Sequence, residues 1–270
     1  MNDTSSPAES SLLLIALAAT LAVLTAHVAL GWLHEAQRRT GSPRSLAMLL
    51  AAVVLGSGLC ASSVLVLAGE ALSFKIGYRF TDALLLWLGA IAGSAVICLL
   101  LLKSARWWAV TTAGLLLGGL AVALHVGWVN AAGLRPGVTW EPVFVGAAAV
   151  LLTVGCCSGL WLAWSESDGA HAKRDAWRLG ASVLVGLSLV TGMEVLDSGL
   201  GLPSQVGSVY SRQLPGSVLS MLGGVLLPLV LSVMAIDLTL RRRQRRHKRR
   251  ESIVLPQYKR RKRRHKVPTL

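Results

Sequence analysis

The sequence predicts an all-α polytopic membrane protein with seven transmembrane helices. Hydrophobic residues make up 53% of the 270 residues and charged residues only 15%, and the mean hydropathy is +0.59. The apolar residues form continuous runs of about 20, the length that a helix needs to cross a hydrocarbon core of ~30 Å. Because hydrocarbon leaves unpaired backbone groups unsatisfied, these runs are expected to be helices rather than exposed strands.

Three regions are expected along the chain. Residues 1–10 form an extracellular N-terminus with two acids and no basic residue, residues 11–240 form the membrane domain, and residues 241–270 form a basic cytoplasmic tail. A secretory signal peptide carries positive charge ahead of its apolar stretch, so none is predicted. The predicted helical segments, in order, are 11–33, 46–69, 83–102, 107–129, 143–164, 179–196 and 215–240.

Each segment ends where polar or turn-forming residues begin. The connections are the basic loop 34–44, the loop 70–81, the short turn 103–106, the loop up to the Trp-Glu-Pro that ends at residue 142, the charged stretch 165–178, and the loop 197–214, which is rich in Gly, Ser and Pro. Residues of these types interrupt helices and form turns. Pro228 lies inside the seventh segment, where its missing backbone N–H favours a bend.

Lysine and arginine are concentrated in alternate loops, which predicts the orientation. One set of loops holds Arg38, Arg39, Arg44, Lys103, Arg106, Lys173, Arg174, Arg178 and the tail, whereas the other set holds Lys75, Arg79, Arg135 and Arg212. The side richer in basic residues is expected to be cytoplasmic. The protein is therefore predicted to lie in the plasma membrane with its N-terminus outside and its C-terminus inside.

The first six segments contain an internal repeat. The first two copies align at Ser63 with His125, Tyr78 with Trp140, and Gly56 with Gly118. A third copy aligns Glu194 with His125 and Met193 with Leu124. Three two-helix pseudo-repeats that enter the membrane in the same direction, followed by a seventh helix, indicate a pseudo-threefold arrangement, unlike inverted-repeat transporters. The alternative is that apolar helices merely resemble one another.

The repeat predicts a shared layer of polar side chains. At ~1.5 Å per residue, Ser63, His125 and Glu194 each lie roughly 22–27 Å from the cytoplasmic start of their helix. His27 lies in the inner half of the first segment and is not expected to join them. A carboxylate within a spanning segment normally faces a partner or water.

Two interpretations of this layer remain open. The candidate metal ligands are His125, Met193, Glu194 and Asp197, since imidazole and carboxylate suit a borderline metal. The alternative is a hydrogen bond between His125 and Glu194 that fixes the fourth helix against the sixth, or exposure at the membrane interface.

Three motifs carry a resemblance to a known family. They read SSVLVL at 62–67, LHVGWV at 124–129 and GMEVLD at 192–197. The pattern resembles the MHYT domain, a bacterial integral membrane sensor module with three motifs of the form Met-His-Tyr-Thr-Gly-Met at the outer ends of alternate helices. The family's His is kept at His125 and its Met at Met193. The resemblance implies a degenerate member of a family whose His and Met residues are proposed to bind a metal such as copper and to sense a diatomic gas. Family members often carry a cyclic-di-GMP enzyme domain after the membrane part, and none is expected in this sequence.

The basic tail predicts contact with anionic lipids. The residues expected to make it are Arg241, Arg242, Arg243, Arg245, Arg246, Lys248, Arg249 and Arg250. Below a cytoplasmic membrane face, such residues are attracted to anionic headgroups by roughly 1 kcal/mol each. The alternative is that the tail only fixes topology. Binding to nucleic acid is not expected, because the tail has no fold with which to read bases.

Three functions are compatible with these features. The first is a sensor or signalling protein of the MHYT type that has lost most of its metal-ligand motifs. The second is a transporter or pore for a small solute, and the third is a non-catalytic membrane anchor that recruits a cytoplasmic protein partner. No nucleophile–base pair can be assembled from the sequence, so enzymatic activity is not expected.

Overall fold

The computed structural model describes residues 7–70, 76–104, 106–135, 137–164, 171–201, 207–210 and 213–241. In this part of the chain, seven helices are long and apolar enough to cross a membrane. They are α1 (Pro7–Gln37), α2 (Ser42–Gly69), α3 (Phe80–Lys103), α4 (Trp107–Ala131), α5 (Pro142–Trp164), α6 (His171–Ser198) and α7 (Gly216–Arg241). The predicted fold class is confirmed: the protein is an all-α, multi-pass membrane protein.

Helices α1 and α6 are longer than predicted at the ends richer in basic residues. Helix α1 continues to Gln37 rather than ending at residue 33, and α6 begins at His171 rather than at residue 179. Charged side chains do not end a helix at the membrane interface, because their apolar stems lie along the helix while their charged ends reach water. One consequence is that His34, expected in a loop, is helical and its ring packs 5.1 Å from that of Trp164.

The first six helices form a closed ring. Each helix packs against the next in sequence, and α6 returns to pack against α1. The even-numbered helices α2, α4 and α6 also contact one another across the middle of the ring. This arrangement is the one expected of three two-helix units around a common axis.

Matching glycines in the first two units make matching contacts. A Cβ atom at Gly56 would lie 2.7 Å from the backbone of Ile91 in α3, and one at Gly118 would lie 3.0 Å from the backbone of Thr153 in α5. Each glycine therefore lets an even-numbered helix approach the odd-numbered helix that follows it, as small residues do between membrane helices. The alignment of these glycines in the predicted repeat has a structural counterpart.

The ring encloses an apolar interior on the side of the predicted cytoplasm. A small cavity of about 30 Å³ lies there, and its lining includes a residue from each ring helix. These residues are Leu33, Leu55, Ile97, Leu117, Leu160 and Val185. By contrast, large apolar side chains on the outside of the ring, such as Leu88 and Val154, are exposed. Because lipid tails are as apolar as leucine, such faces suit contact with the bilayer.

Two-residue strands connect the loops at the outer end, the end predicted to face the exterior. They are β1 (Gly77–Tyr78), β2 (Leu134–Arg135), β3 (Thr139–Trp140), β4 (Leu200–Gly201), β5 (Gly207–Ser208) and β6 (Leu214–Pro215). The antiparallel pairs are β1 with β6, β2 with β5, and β3 with β4. Strands β4, β5 and β6 all belong to the α6–α7 connection, so this connection pairs with both of the other outer loops.

A π-helical segment interrupts α7 close to the predicted bend. Residues Leu222–Leu226 form π-helix, two residues before Pro228. Proline cannot donate to the carbonyl of the preceding turn, and its ring clashes with that carbonyl. The wider π turn accommodates this, as π segments do within α-helices. The glycines of this segment lie against α1 and α2: a Cβ at Gly224 would lie 2.7 Å from Leu17.

By internal packing the chain divides into two units, Met1–Ser232 and Val233–Leu270. The first contains the ring of six helices. In the described part of the second, Arg241 Nε donates to Asp237 Oδ2 at 2.7 Å, a local pairing within one helix turn. Apart from Arg241, the tail residues predicted to contact lipid lie outside the described residues.

Candidate functional site

A buried contact between His125 and Asp197 joins α4 to α6 near their outer ends. The distance from His125 Nε2 to Asp197 Oδ1 is 2.7 Å, and both side chains are completely buried. His125 lies six residues before the end of α4 and Asp197 one residue before the end of α6. The two side chains meet because both helices reach the middle of the ring.

Each side chain of this pair has a second polar atom that takes no part in the contact. His125 Nδ1 and Asp197 Oδ2 are buried and have no hydrogen-bond partner among the described residues. Because a carboxylate oxygen can only accept, the hydrogen bond runs from His125 Nε2–H to Asp197 Oδ1. An ionised side chain inside a membrane is costly unless it is paired, and such residues mark functional sites.

Helix α2 joins this layer through Ser63. The Ser63 hydroxyl lies 3.0 Å from the Leu59 carbonyl, to which it donates, and 3.7 Å from Met193 Sδ of α6. Ser63 and Met193 are both completely buried. The predicted layer therefore contains side chains from all three even-numbered helices.

The residues that α6 contributes to the polar layer differ from the expected one. The sequence alignment favoured Glu194, with a hydrogen bond between His125 and Glu194 as one alternative. In the structure the partner of His125 is Asp197, and Met193 is the residue that meets Ser63. Glu194 is only half-buried, because it lies to one side of the helix face that carries Met193 and Asp197.

Two further carboxylates, those of Glu70 and Glu194, interact electrostatically with the pair. Glu194 interacts electrostatically with Glu70, Asp197 and His125, and its Oε1 has no hydrogen-bond partner in the described part of the chain. Glu70 directly follows α2. Partial desolvation raises the pKa of Glu70, the negative charge of Asp197 raises it further, and His125 opposes the rise. Three carboxylates, those of Glu70, Glu194 and Asp197, thus lie within electrostatic range of one imidazole, and of these Asp197 is the one hydrogen-bonded to it.

An aromatic pair packs beside this layer. The ring of Tyr78 in β1 meets Trp128 of α4 edge to face, with 5.3 Å between the ring centroids. Tyr78 is almost completely buried. Burial raises the pKa of the Tyr78 hydroxyl, and the charge of Asp197 adds to that rise. The sequence aligned Tyr78 with Trp140 in the internal repeat but did not predict that Tyr78 would pack on Trp128.

The described residues do not fit the metal centre that the sequence resemblance implies. They contain no group of three or more His, Cys, Asp or Glu side chains that could hold a metal ion. His125 and Asp197 provide two donors in contact, fewer than the three protein ligands typical of catalytic zinc sites. Metal binding by His125, Met193, Glu194 and Asp197 stays a prediction.

His27 lies apart from the layer, as expected. Its backbone carbonyl accepts a hydrogen bond at 2.6 Å from Nη2 of Arg178, a buried residue in the first half of α6. Its ring lies 3.4 Å from the Ser182 hydroxyl. These contacts join α1 to α6 on the side of the predicted cytoplasm.

Comparison with known proteins gives one distant similarity. Over 193 residues the chain is 23% identical to the bifunctional diguanylate cyclase/cyclic di-GMP phosphodiesterase MucR of Pseudomonas aeruginosa. The match covers 70% of this chain but only 28% of MucR. No family model matches the chain, and no solved structure matches it. The similarity relates the chain to a signalling protein, of which it spans little more than a quarter.

Proposed function

We propose that the protein is an integral membrane signalling protein of the MHYT type, and that its sensing layer is built from His125, Asp197, Ser63 and Met193. The observation that carries the proposal is the buried contact between His125 and Asp197. The layer lies at the outer ends of three helices that meet in the middle of the ring, where the family motifs were aligned. The similarity to MucR, a cyclic-di-GMP enzyme, supports a signalling role.

The proposed mechanism is a change in helix packing. Because the His125–Asp197 pair is buried, a ligand that breaks it leaves a charged or polar group unpaired inside the membrane. Helices α4 and α6 then shift to restore the lost interactions. Since α6 is hydrogen-bonded to α1 through Arg178, the shift reaches the cytoplasmic side of the ring. This is a local electrostatic event with a distant readout.

Metal coordination is not part of this mechanism. With one His and one Met kept from the three motifs, we propose that the chain signals through conformation and through a cytoplasmic protein partner, without catalysis of its own. A solute transporter is less well supported, because the small cavity described in the ring's cytoplasmic half is lined by apolar side chains. Transporter sites typically provide polar groups near the midplane of the bilayer.

Hydrogen–deuterium exchange of the full chain in lipid nanodiscs tests the proposal. Asp197→Asn keeps the shape of the side chain but removes its charge. We expect faster amide exchange at the cytoplasmic ends of α1 and α6, more than 20 Å from the substitution by helix rise. Asp82→Asn is the control, because Asp82 makes a partly exposed pair with Arg79 at 4.0 Å. Exchange that changes only around residue 197 would contradict the proposal.

Metal analysis of the same preparation distinguishes signalling without a metal from signalling by a family member that still binds one. We expect no stoichiometric copper in the purified protein. Copper that is retained by the wild type and lost in His125→Ala would instead establish a metal centre at this layer.

A further inference from the structure

Basic side chains from two distant parts of the sequence converge at the cytoplasmic ends of α2, α3 and α4. Arg44 lies in the first turn of α2, and its Nη2 donates to the Leu102 carbonyl near the end of α3 at 3.3 Å. Lys103 ends α3, and Arg106 directly precedes α4. The turn between them is closed by a hydrogen bond from the Arg106 N–H to Ser104 Oγ at 3.3 Å. Folding therefore gathers three cationic groups, here called the α2–α4 basic patch: Arg44, Lys103 and Arg106.

The charge of this patch is not neutralised within the described residues. Arg39 and Arg241 each pair with a carboxylate one turn away on their own helix, at 2.7 Å from Glu35 and Asp237. No such ion pair forms at Arg44, Lys103 or Arg106 in the described part of the chain. The first turns of α2 and α4 also lack acidic residues. The patch is therefore an uncompensated positive surface.

Neighbouring apolar side chains place the patch at the level of the lipid headgroups. Trp107 follows Arg106 directly, and 70% of its surface is exposed. Tryptophan is enriched where hydrocarbon meets the headgroup region. One turn further into the membrane on α3, Leu99 is also exposed. A molecule that contacts all of these residues needs an anionic group at one end and an apolar chain at the other.

We propose that the α2–α4 basic patch is a binding site for the phosphate headgroup of an anionic membrane lipid, whose acyl chain lies along Leu99 and Trp107. Arginine is suited to this role because its planar guanidinium can donate two parallel hydrogen bonds to a phosphate. The site belongs to the membrane domain and is distinct from the basic tail. It would hold one lipid at the junction of the first and second repeat units.

Binding of phosphatidylglycerol to the full chain tests this site. Native mass spectrometry of the purified protein, titrated with phosphatidylglycerol in mixed micelles, measures the affinity of the retained lipid. We expect Arg44→Gln/Arg106→Gln to weaken binding roughly tenfold, given the attraction of each basic residue to anionic headgroups. The matched control is Arg79→Gln/Arg135→Gln, which removes two charges from the outer loops and leaves the tail unchanged. Equal losses in the two double variants would overturn the proposal.

Further variants and a competition with free phosphate complete the test. Arg44→Lys/Arg106→Lys retains the charge, and we expect it to bind within a few-fold of the wild type. Lys103→Gln changes an exposed helix end and serves as a second variant in the same patch should the double glutamine variant not fold. Inorganic phosphate at millimolar concentration is expected not to displace the lipid. Full displacement by free phosphate would show a simple anion site and would overturn the assignment to a lipid.

Discussion

His125 on α4 and Asp197 on α6 are separated by 72 residues, yet His125 Nε2 lies 2.7 Å from Asp197 Oδ1 in the interior of the ring. Neither side chain has any exposed surface. The contact connects the second and third repeat units at the depth where Ser63 of the first unit meets Met193. Together, the two contacts join the three units through their even-numbered helices.

The first prediction concerns the energy of this pair. We expect His125→Ala and Asp197→Ala each to lower the free energy of unfolding by about 3 kcal/mol, because each leaves its buried partner unpaired. Reversible unfolding in mixed detergent micelles measures the change. Asp82→Ala should cost less than about 1 kcal/mol, because its ion pair is partly exposed. Similar small losses at all three positions would show that the buried contact does not stabilise the fold.

The second prediction concerns the contact between Ser63 and Met193. Met193→Ala should destabilise the protein by roughly 2–5 kcal/mol, since it leaves a cavity in a closely packed interior. Met193→Leu conserves the volume and should cost less than about 1.5 kcal/mol. Unfolding of both variants under identical conditions gives the comparison. If Met193→Leu were as damaging as Met193→Ala, the sulfur itself, rather than packing, would be the essential feature.

The third prediction compares two glycines of α4. A Cβ atom at Gly114 would lie 2.7 Å from the backbone Cα of Cys157 in α5, whereas one at Gly119 would meet nothing within 4 Å. We expect Gly114→Ala to separate α4 from α5 and to lower the melting temperature clearly. Gly119→Ala should be neutral or stabilise by up to about 1 kcal/mol, because alanine is the better helix former. Thermal unfolding in nanodiscs decides between these outcomes, and a loss of stability in Gly119→Ala alone would refute the proposed packing.

The fourth prediction concerns pH. The pKa of Glu70 is raised in the folded protein from its ordinary value of 4.5, chiefly by desolvation and then by Asp197. The folded state therefore keeps this proton at a higher pH than the unfolded chain does. The stability contributed by Glu70 is present at low pH and decreases as pH rises from 4.5 through the raised pKa.

We expect Glu70→Gln to flatten this part of the stability profile and to raise the melting temperature near neutral pH. Melting temperatures of the wild type and the variant, measured from mildly acidic to neutral pH, provide the test. Glu141→Gln removes the same charge from another outer loop and controls for the change in net charge. Parallel profiles for the wild type and Glu70→Gln would show that the environment of Glu70 does not affect stability.

The helices and their shared polar layer could be predicted from the sequence, because both depend only on the number of residues along the chain. An apolar run of about 20 residues specifies a spanning helix, and equal distances along parallel helices specify a common depth. Positions around a helix are harder to predict. Glu194 and Asp197 are three residues apart and lie on neighbouring faces, so only packing decides which of them meets His125.

The outer strands escaped prediction for a different reason. A strand such as β1 contains two residues, too few to show the alternation by which strands are recognised. Its existence depends on a partner at residues 214–215, more than 130 positions later. The extension of α6 back to His171 was not predicted, because charged residues in such a stretch are equally typical of a loop.

The connection between α6 and α7 contributes one strand to every β-pair described at the outer end. It therefore links the outer loops that follow the even-numbered helices of all three repeat units. A displacement of this one connection would therefore be passed directly, through backbone hydrogen bonds, to the loops that follow α2 and α4.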